Sequence, residues 1–287
     1  MKKNLVLGAI KGYSYEMLSP FVSSFKKVSF NDDVVLLVNG ISNETKQTLA
    51  KEGVKTSEFS YRGSGALNSW SRFWPFLNPL FLNGYNPFSR FVLKKILSLQ
   101  IVRFLHYKDF LIANRDKYEY VLLTDVRDVY FQSDFFQKMN DGRVQCYEEY
   151  LKIEDEKLFN SDWILKLFGQ EILQKIEHNK ILCSGTIVGS VENMIKFLDA
   201  FEKVLYKCKD VSVCGMDQGI FNYIIRECYL DHVVINKYGS GNVLTVSNSD
   251  KSVYNIKDNM VLYEDGSLIP ILHQYDRSIE IVNVFNL

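Results

Sequence analysis

The 287-residue chain has no net charge to offer, because 34 Lys and Arg balance 34 Asp and Glu. It therefore lacks the broad positive field that draws nucleic acid, and no nucleic-acid partner is expected. Its five cysteines (Cys146, Cys183, Cys208, Cys214 and Cys228) are odd in number and form no CxxC pair. That spacing disfavours a disulfide framework or a zinc site and points to a reducing, cytosolic compartment. No apolar run reaches the ~18–20 residues that a membrane-spanning helix needs. The opening segment turns apolar at Leu5 but soon meets Lys11, Tyr13 and Glu16, so no secretory leader is expected. The expectation is a cytoplasmic protein, at most peripheral at the inner face of a membrane. GxGxxG and GKS/T are also missing after the first apolar run, which disfavours dinucleotide and P-loop binding.

What is present reads as an ordinary core-forming chain, since hydrophobic residues make up 47% and charged residues 24%. Asn4–Ala9, Asp33–Val38 and Val54–Phe59 read as strands. Helical spacing separates them over Tyr15–Val28 (Met17, Leu18, Phe21, Val22, Phe25) and over Asn43–Glu52, with Asn43 as its expected cap. Strand and helix in alternation predict an α/β architecture: a Rossmann-like, mostly parallel central sheet flanked by helices. Residues 61–90 differ, with Trp70, Trp74, Phe81 and Tyr85 crowded among Gly, Asn, Ser and Pro without a period. Two readings stand, an insertion packing on the core, or a lid or peripheral membrane contact through residues 70–90 that greets a glycan or lipid-linked acceptor. Further helices are expected over 87–114, 158–177, Ser190–Lys207 and Gly215–Tyr229. A strand broken at Gly185 is expected over Ile181–Gly189, with others at Asp231–Ile235 and Val243–Val246. A short antiparallel C-terminal hairpin should turn at Asp265-Gly266. With no repeat or linker, residues 1–287 are expected to form a single domain. Within it, residues 1–132 and 133–287 would form two halves.

The densest chemical signal is Tyr120-Val121-Leu122-Leu123-Thr124-Asp125-Val126-Arg127-Asp128-Val129. An apolar strand ends there in two carboxylates, at the strand edge where open α/β sheets hold ligands. Hard oxygen donors of this kind suit Mn²⁺ or Mg²⁺ bridging to a phosphate. Capping a helix or pairing with an arginine is the structural alternative for the same acids. Arg127 is expected to pair with a neighbouring acid and, by strand alternation, to point away from Asp125 and Asp128.

Three more segments follow in order: Cys183-Ser184-Gly185-Thr186, then Met216-Asp217-Gln218-Gly219, then Leu272-His273-Gln274. The succession resembles GT-A glycosyltransferases, especially glycosyltransferase family 8 and related surface-polysaccharide enzymes, over roughly residues 4–60 and 100–280. The resemblance implies a metal-dependent transfer of a sugar from a nucleotide-diphosphate donor, UDP-sugar preferred, to a hydroxyl of a glycan or lipid-linked acceptor. It implies metal ligation by Asp128 and His273, with Mn²⁺ favoured over Mg²⁺ once an imidazole joins the carboxylates. The family spacing is Asp-any-Asp, so Asp125 sits one residue early and takes either a metal-ligand role or a ribose or metal-water contact. Donor binding is implied for Ala9, Ile10, Lys11, Gly12, Tyr13, Arg103, Asp125, Ser184 and Gly185. A catalytic or acceptor-facing role is implied for Asp217 and Gln218, with helix capping as the alternative for Asp217. Two rival readings remain: a sugar nucleotidyltransferase, whose Gly-rich basic loop Gly8–Gly12 matches poorly, and a noncatalytic sugar-binding or scaffold protein.

Overall fold

The structure, a computed structural model, describes residues 2–28, 32–61, 87–211, 215–228 and 231–285. The first part builds as the periodicity predicts, with strands β1 (Lys3–Lys11), β2 (Asp33–Asn39) and β3 (Lys55–Glu58) alternating with helices α1 (Tyr15–Lys27) and α2 (Asn43–Lys51). The cap of α2 is one residue earlier than the sequence suggests, because the Ser42 hydroxyl accepts from Thr45 N. Helices α3 (Pro87–Ile96) and α4 (Leu99–Ala113) lead into β4 (Tyr118–Thr124).

These strands lie side by side as β3-β2-β1-β4, all parallel. They are apolar at successive positions because both faces are covered. Leu5, Leu7, Val121 and Leu123 face α4 and the later helices, whereas Val6, Leu36 and Leu122 face Leu18, Phe21 and Leu49 of α1 and α2.

Beyond β4 the sheet becomes mixed. Strand β8 (Thr186–Ser190) runs antiparallel to β4, and β6 (Val144–Lys152) pairs antiparallel with β8 and with β7 (Lys180–Leu182). Strand β9 (Val233–Asn236) then joins β6 in parallel. The 158–177 helix is two helices, α5 (Asn160–Phe168) and α6 (Gln170–Ile176). They break at Gly169, whose φ of 93° costs a residue without a β-carbon little. Helix α7 (Val191–Leu205) starts at a capping Ser190 and buries Met194, Phe197, Leu198, Phe201 and Leu205 on one stripe. Helix α8 (Met216–Glu227) follows.

A second sheet decides the site. Strand β13 (Ile271–His273) lies between β10 (Val243–Thr245) and β5 (Val129–Phe131), parallel to the first and antiparallel to the second. The C-terminal hairpin exists, but its main pair is β11 (Tyr254–Lys257) with β12 (Met260–Tyr263). It turns at Asp258-Asn259, both at positive φ (51° and 58°), as a type I′ turn requires. Asp265-Gly266 turns a second, shorter antiparallel return, held by Tyr263 N to Ser267 O (2.8 Å), the Leu262–Leu268 bridge and Ile269 N to Val261 O (3.3 Å), before β13 leaves for the other sheet.

Candidate active site

The chain winds outward from β1 through β2 to β3 and then returns to β1's other side with β4, so the direction of winding reverses between β1 and β4. Ligands of open α/β sheets sit outside the carboxyl ends of the strands at that reversal. A cleft of about 290 Å³ opens there, lined among others by Ala9, Tyr13, Asp125, Asp128, Ser184 and Asp217.

The acidic motif directly follows the carboxyl end of β4, as expected, and forms the turn that joins the two sheets. Strand β4 stops at Thr124, whose register partner on β1 is Gly8, and β5 begins at Val129. Val126 is buried in the turn against Gly8, where an added β-carbon would lie 2.3 Å from Val126 Cγ2. Strand alternation consequently does not apply to Arg127. It lines the same cleft as Asp125 and Asp128 while pairing with Asp276 (3.3 Å), so its pairing is as expected and its direction is not.

Pairing in the second sheet delivers the histidine. His273 on β13 is the register partner of Val129, the residue after Asp128. One donor atom from each of Asp125, Asp128 and His273 lies within 4.8 Å of the others. His273 is 2% exposed, with Nδ1 at 3.2 Å from both Thr245 Oγ1 and Cys183 Sγ. An Nδ1–H donated to Thr245 leaves the Nε2 lone pair facing the carboxylates, and Nε2 has no hydrogen-bond partner; Asp125 Oδ2 is 3.5 Å away. A neighbour that fixes the tautomer of a ligating imidazole is the usual support of a metal site. Burial opposes a charge on His273, but Cys183, Asp125 and Asp128 outweigh it and hold its proton affinity well above the ordinary imidazole value. The pocket thus demands a positive charge at Nε2, and a divalent cation meets that demand as well as a proton does. The residues fit a metal ion.

Arg103, on α4, ties the motifs together. Its Nη1 pairs with Asp125 and its Nη2 with Asp217 Oδ2 (3.1 Å), which also accepts from Ser184 Oγ (3.1 Å). Burial alone would raise the Asp125 carboxyl, but Arg103 and His273 hold it well below the usual carboxylate range. Burial dominates at the other two acids: Asp128 is raised, with Asp125 and Asp276 adding to the effect, and so is Asp217, despite Arg103 and Ser184. Asp217 lies inside the first turn of α8, whose cap is Gly215, so it is not the helix cap. Gly185 passes under the cluster, and a β-carbon there would stand 2.6 Å from Asp125 Oδ2 and 2.7 Å from His273 Nε2.

Of the residues singled out from sequence, Ala9, Tyr13, Arg103, Asp125, Asp128, Ser184, Gly185, Asp217, Gln218 and His273 all line the cleft. Ile10, Lys11 and Gly12 do not. Ile10 is buried in the core, Lys11 sits over the Tyr61 ring (4.8 Å), and Gly12 takes the left-handed turn (φ 68°) that ends the strand. Residues 62–86, which hold most of the aromatic segment and of the 70–90 membrane contact, lie outside the described residues, as does Cys214. No helix among the described residues is long and apolar enough to cross a membrane. The sequence reading missed Thr245, Trp163, Glu149 and Gln274. Thr245 and Trp163 carry no local signal, because a β register and a helix packing on Gly215 bring them in. Gln274 adopts φ 54° beside His273, a backbone strain that no sequence pattern announces.

No family model matches the chain, and no curated protein matches it in sequence. Among solved structures it superposes on the crystal structure of an active-site mutant of LgtC, at 11% identity and a TM-score of 0.51, covering 94% of this chain and 86% of that one. A second LgtC structure, described as a galactosyltransferase in complex with donor and acceptor sugar analogs, gives 13% identity, the same coverage and a TM-score of 0.49. The first likeness shows the fold: a mixed α/β arrangement with a mostly parallel central sheet, the GT-A glycosyltransferase fold.

Proposed function

We propose that the chain is a metal-dependent glycosyltransferase that moves a sugar from a nucleotide-diphosphate donor, UDP-sugar in first preference, to a hydroxyl of a glycan or lipid-linked acceptor. The observation that carries this reading is the convergence of Asp125, Asp128 and the unpartnered His273 Nε2 in a cleft at the strand reversal. A GT-A fold supports it. Asp125, Asp128 and His273 would hold Mn²⁺ or Mg²⁺. A divalent ion held by these residues would supply positive charge for the donor's phosphates and for the charge that builds on the leaving diphosphate.

The protein's own residues do the rest. The Arg103 guanidinium uses one nitrogen on Asp125 and another on Asp217, so the Asp125 carboxylate is fixed before any ligand arrives and turns its second oxygen to His273. Tyr13 and Ala9 form the wall where β1 ends, suited to the base and ribose. Gly185 leaves room for the sugar to pass close to the ligands. In the transfer the acceptor oxygen bonds to the anomeric carbon as the bond from that carbon to the diphosphate breaks. The diphosphate keeps the electron pair, and the hydroxyl proton passes to a carboxylate or to the departing phosphate. Asp217 and Gln218 face this space. The proposed setting is surface-polysaccharide assembly at the cytosolic face of a membrane, with residues 1–287 acting as one catalytic domain.

A thermal-shift panel of UDP, GDP and CDP, each with and without Mn²⁺, tests the donor site. A ligand that binds only the folded chain raises its melting temperature by mass action. Manganese-dependent stabilisation by one nucleotide supports the reading and names the base. A flat panel refutes it and favours a noncatalytic protein of the same fold.

A further inference from the structure

The donor reading leaves one wall of the cleft unused. Trp163 of α5 lines it with its indole packed on Gly215, where a β-carbon would come within 2.4 Å of the ring. One helical turn earlier Phe159 stands edge-on to that indole, ring centroids 5.8 Å apart. Phe159 is 55% exposed and Leu158 beside it 82%. The core does not need Phe159, because α5 turns Ile164 and Leu167 inward instead, while Trp163 packs partly on the core and also lines the cleft. A polar strip runs along the foot of the ledge. Gln218 Nε2 donates towards Glu149 Oε1 and Asn160 Oδ1, both at 3.4 Å, and Asn160 Nδ2 donates to Glu156 Oε2 at 2.6 Å.

Exposed aromatic faces beside carboxylates and amides form an amphipathic surface with a definite chemistry. The C–H face of a pyranose packs on rings, and its hydroxyls donate to carboxylates. An acceptor bearing its own negative charge would meet the Glu156 carboxylate and be repelled. We infer that the Phe159–Trp163 ledge, with Glu149 and Gln218 at its foot, is the acceptor subsite and takes an uncharged pyranose. The word acceptor rests on the proposed transferase reading; the ledge's affinity for a neutral sugar does not.

The test therefore uses the full chain without donor or metal. Ligand-observed saturation-transfer NMR is recorded with lactose and maltotriose as neutral probes and with 3′-sialyllactose as the anionic one. A neutral sugar is expected to bind at least about tenfold more tightly than the anionic one. Phe159→Ala should weaken it about fivefold or more, the size of a lost aromatic contact. Phe159 is exposed, so that variant keeps its fold. Trp163→Phe, which keeps a ring, should retain more affinity than Trp163→Ala. Equal binding of the anionic probe, indifference to Phe159→Ala, or no binding by either neutral probe would each overturn the inference. Sugar binding beside a flat nucleotide panel would sink the transferase reading and leave the ledge standing.

Discussion

Replacing Gly185 by alanine tests the proposed metal site without changing any of its candidate ligands. Its backbone is not in the left-handed region, so alanine brings no strain of its own. The added carbon would stand 2.6 Å from Asp125 Oδ2, 2.7 Å from His273 Nε2 and 2.9 Å from His273 Cε1, where ordinary contact begins at 3.4 Å. Something must move by more than half an ångström, and neither neighbour is free to do so. His273 is pinned at Nδ1 by Thr245 and Cys183, and Asp125 is pinned by Arg103. Overpacking of this kind costs about 1–3 kcal/mol. At roughly 2–4 °C per kcal/mol for a chain of this order of size, the melting temperature should fall by about 2–12 °C. The effect on the metal should be larger in proportion, because even the loss of an outer partner that orients a ligand weakens affinity by about 10–100-fold. Scanning fluorimetry across a Mn²⁺ titration reads both quantities. A Gly185→Ala protein that binds Mn²⁺ as tightly as the parent would refute the assignment of Asp125 and His273 as ligands.

Other perturbations separate the remaining parts of the site. Asp128→Ala should abolish Mn²⁺-dependent stabilisation and turnover while circular dichroism stays unchanged; retained turnover would remove Asp128 from the metal site. Arg103→Met leaves Asp125 and Asp217 buried without their cation, a change that costs about 3–5 kcal/mol. Mn²⁺ should restore part of the lost melting temperature by neutralising Asp125, and a deficit that no Mn²⁺ concentration touches would mean that the ion does not reach this carboxylate. Burial, reinforced by Glu156 and opposed by His273, Cys183 and Gln218, pushes the Glu149 carboxyl up to about 7. The folded chain then holds a proton that the unfolded chain has released, so this group's contribution is full below pH ~4.5 and falls as pH rises to about 7. In metal-free buffer, Glu149→Gln should gain melting temperature relative to the parent across that window and hold the difference above it. Parallel curves for the two proteins would contradict the shift.

Much of the fold was legible because local patterns set it. The apolar runs at Leu5–Leu7, Val34–Val38 and Val121–Leu123, separated by helical stripes, already state a parallel sheet covered on both faces. The type I′ turn at Asp258-Asn259 is equally local, but Asp-Asn is a weaker turn signal than the Asp265-Gly266 pair nearby. The acids and the histidine could be named from their types and order. Their contact could not, since Asp128 and His273 are 145 positions apart in the sequence and no local pattern encodes a distance.

The sequence by itself determined the layer architecture and the inventory of candidate groups, because periodicity and side-chain type act over a few residues. Only the tertiary structure decided that the acidic motif is a turn between two sheets, and that Arg103 joins Asp125 to Asp217. It also decided that Thr245 and Cys183 fix the imidazole of His273 and that Trp163 forms a wall of the cleft. Each of those facts depends on strand register or helix packing between segments far apart in the chain. Such pairings are selected by the burial of the whole core rather than by the residues they bring together.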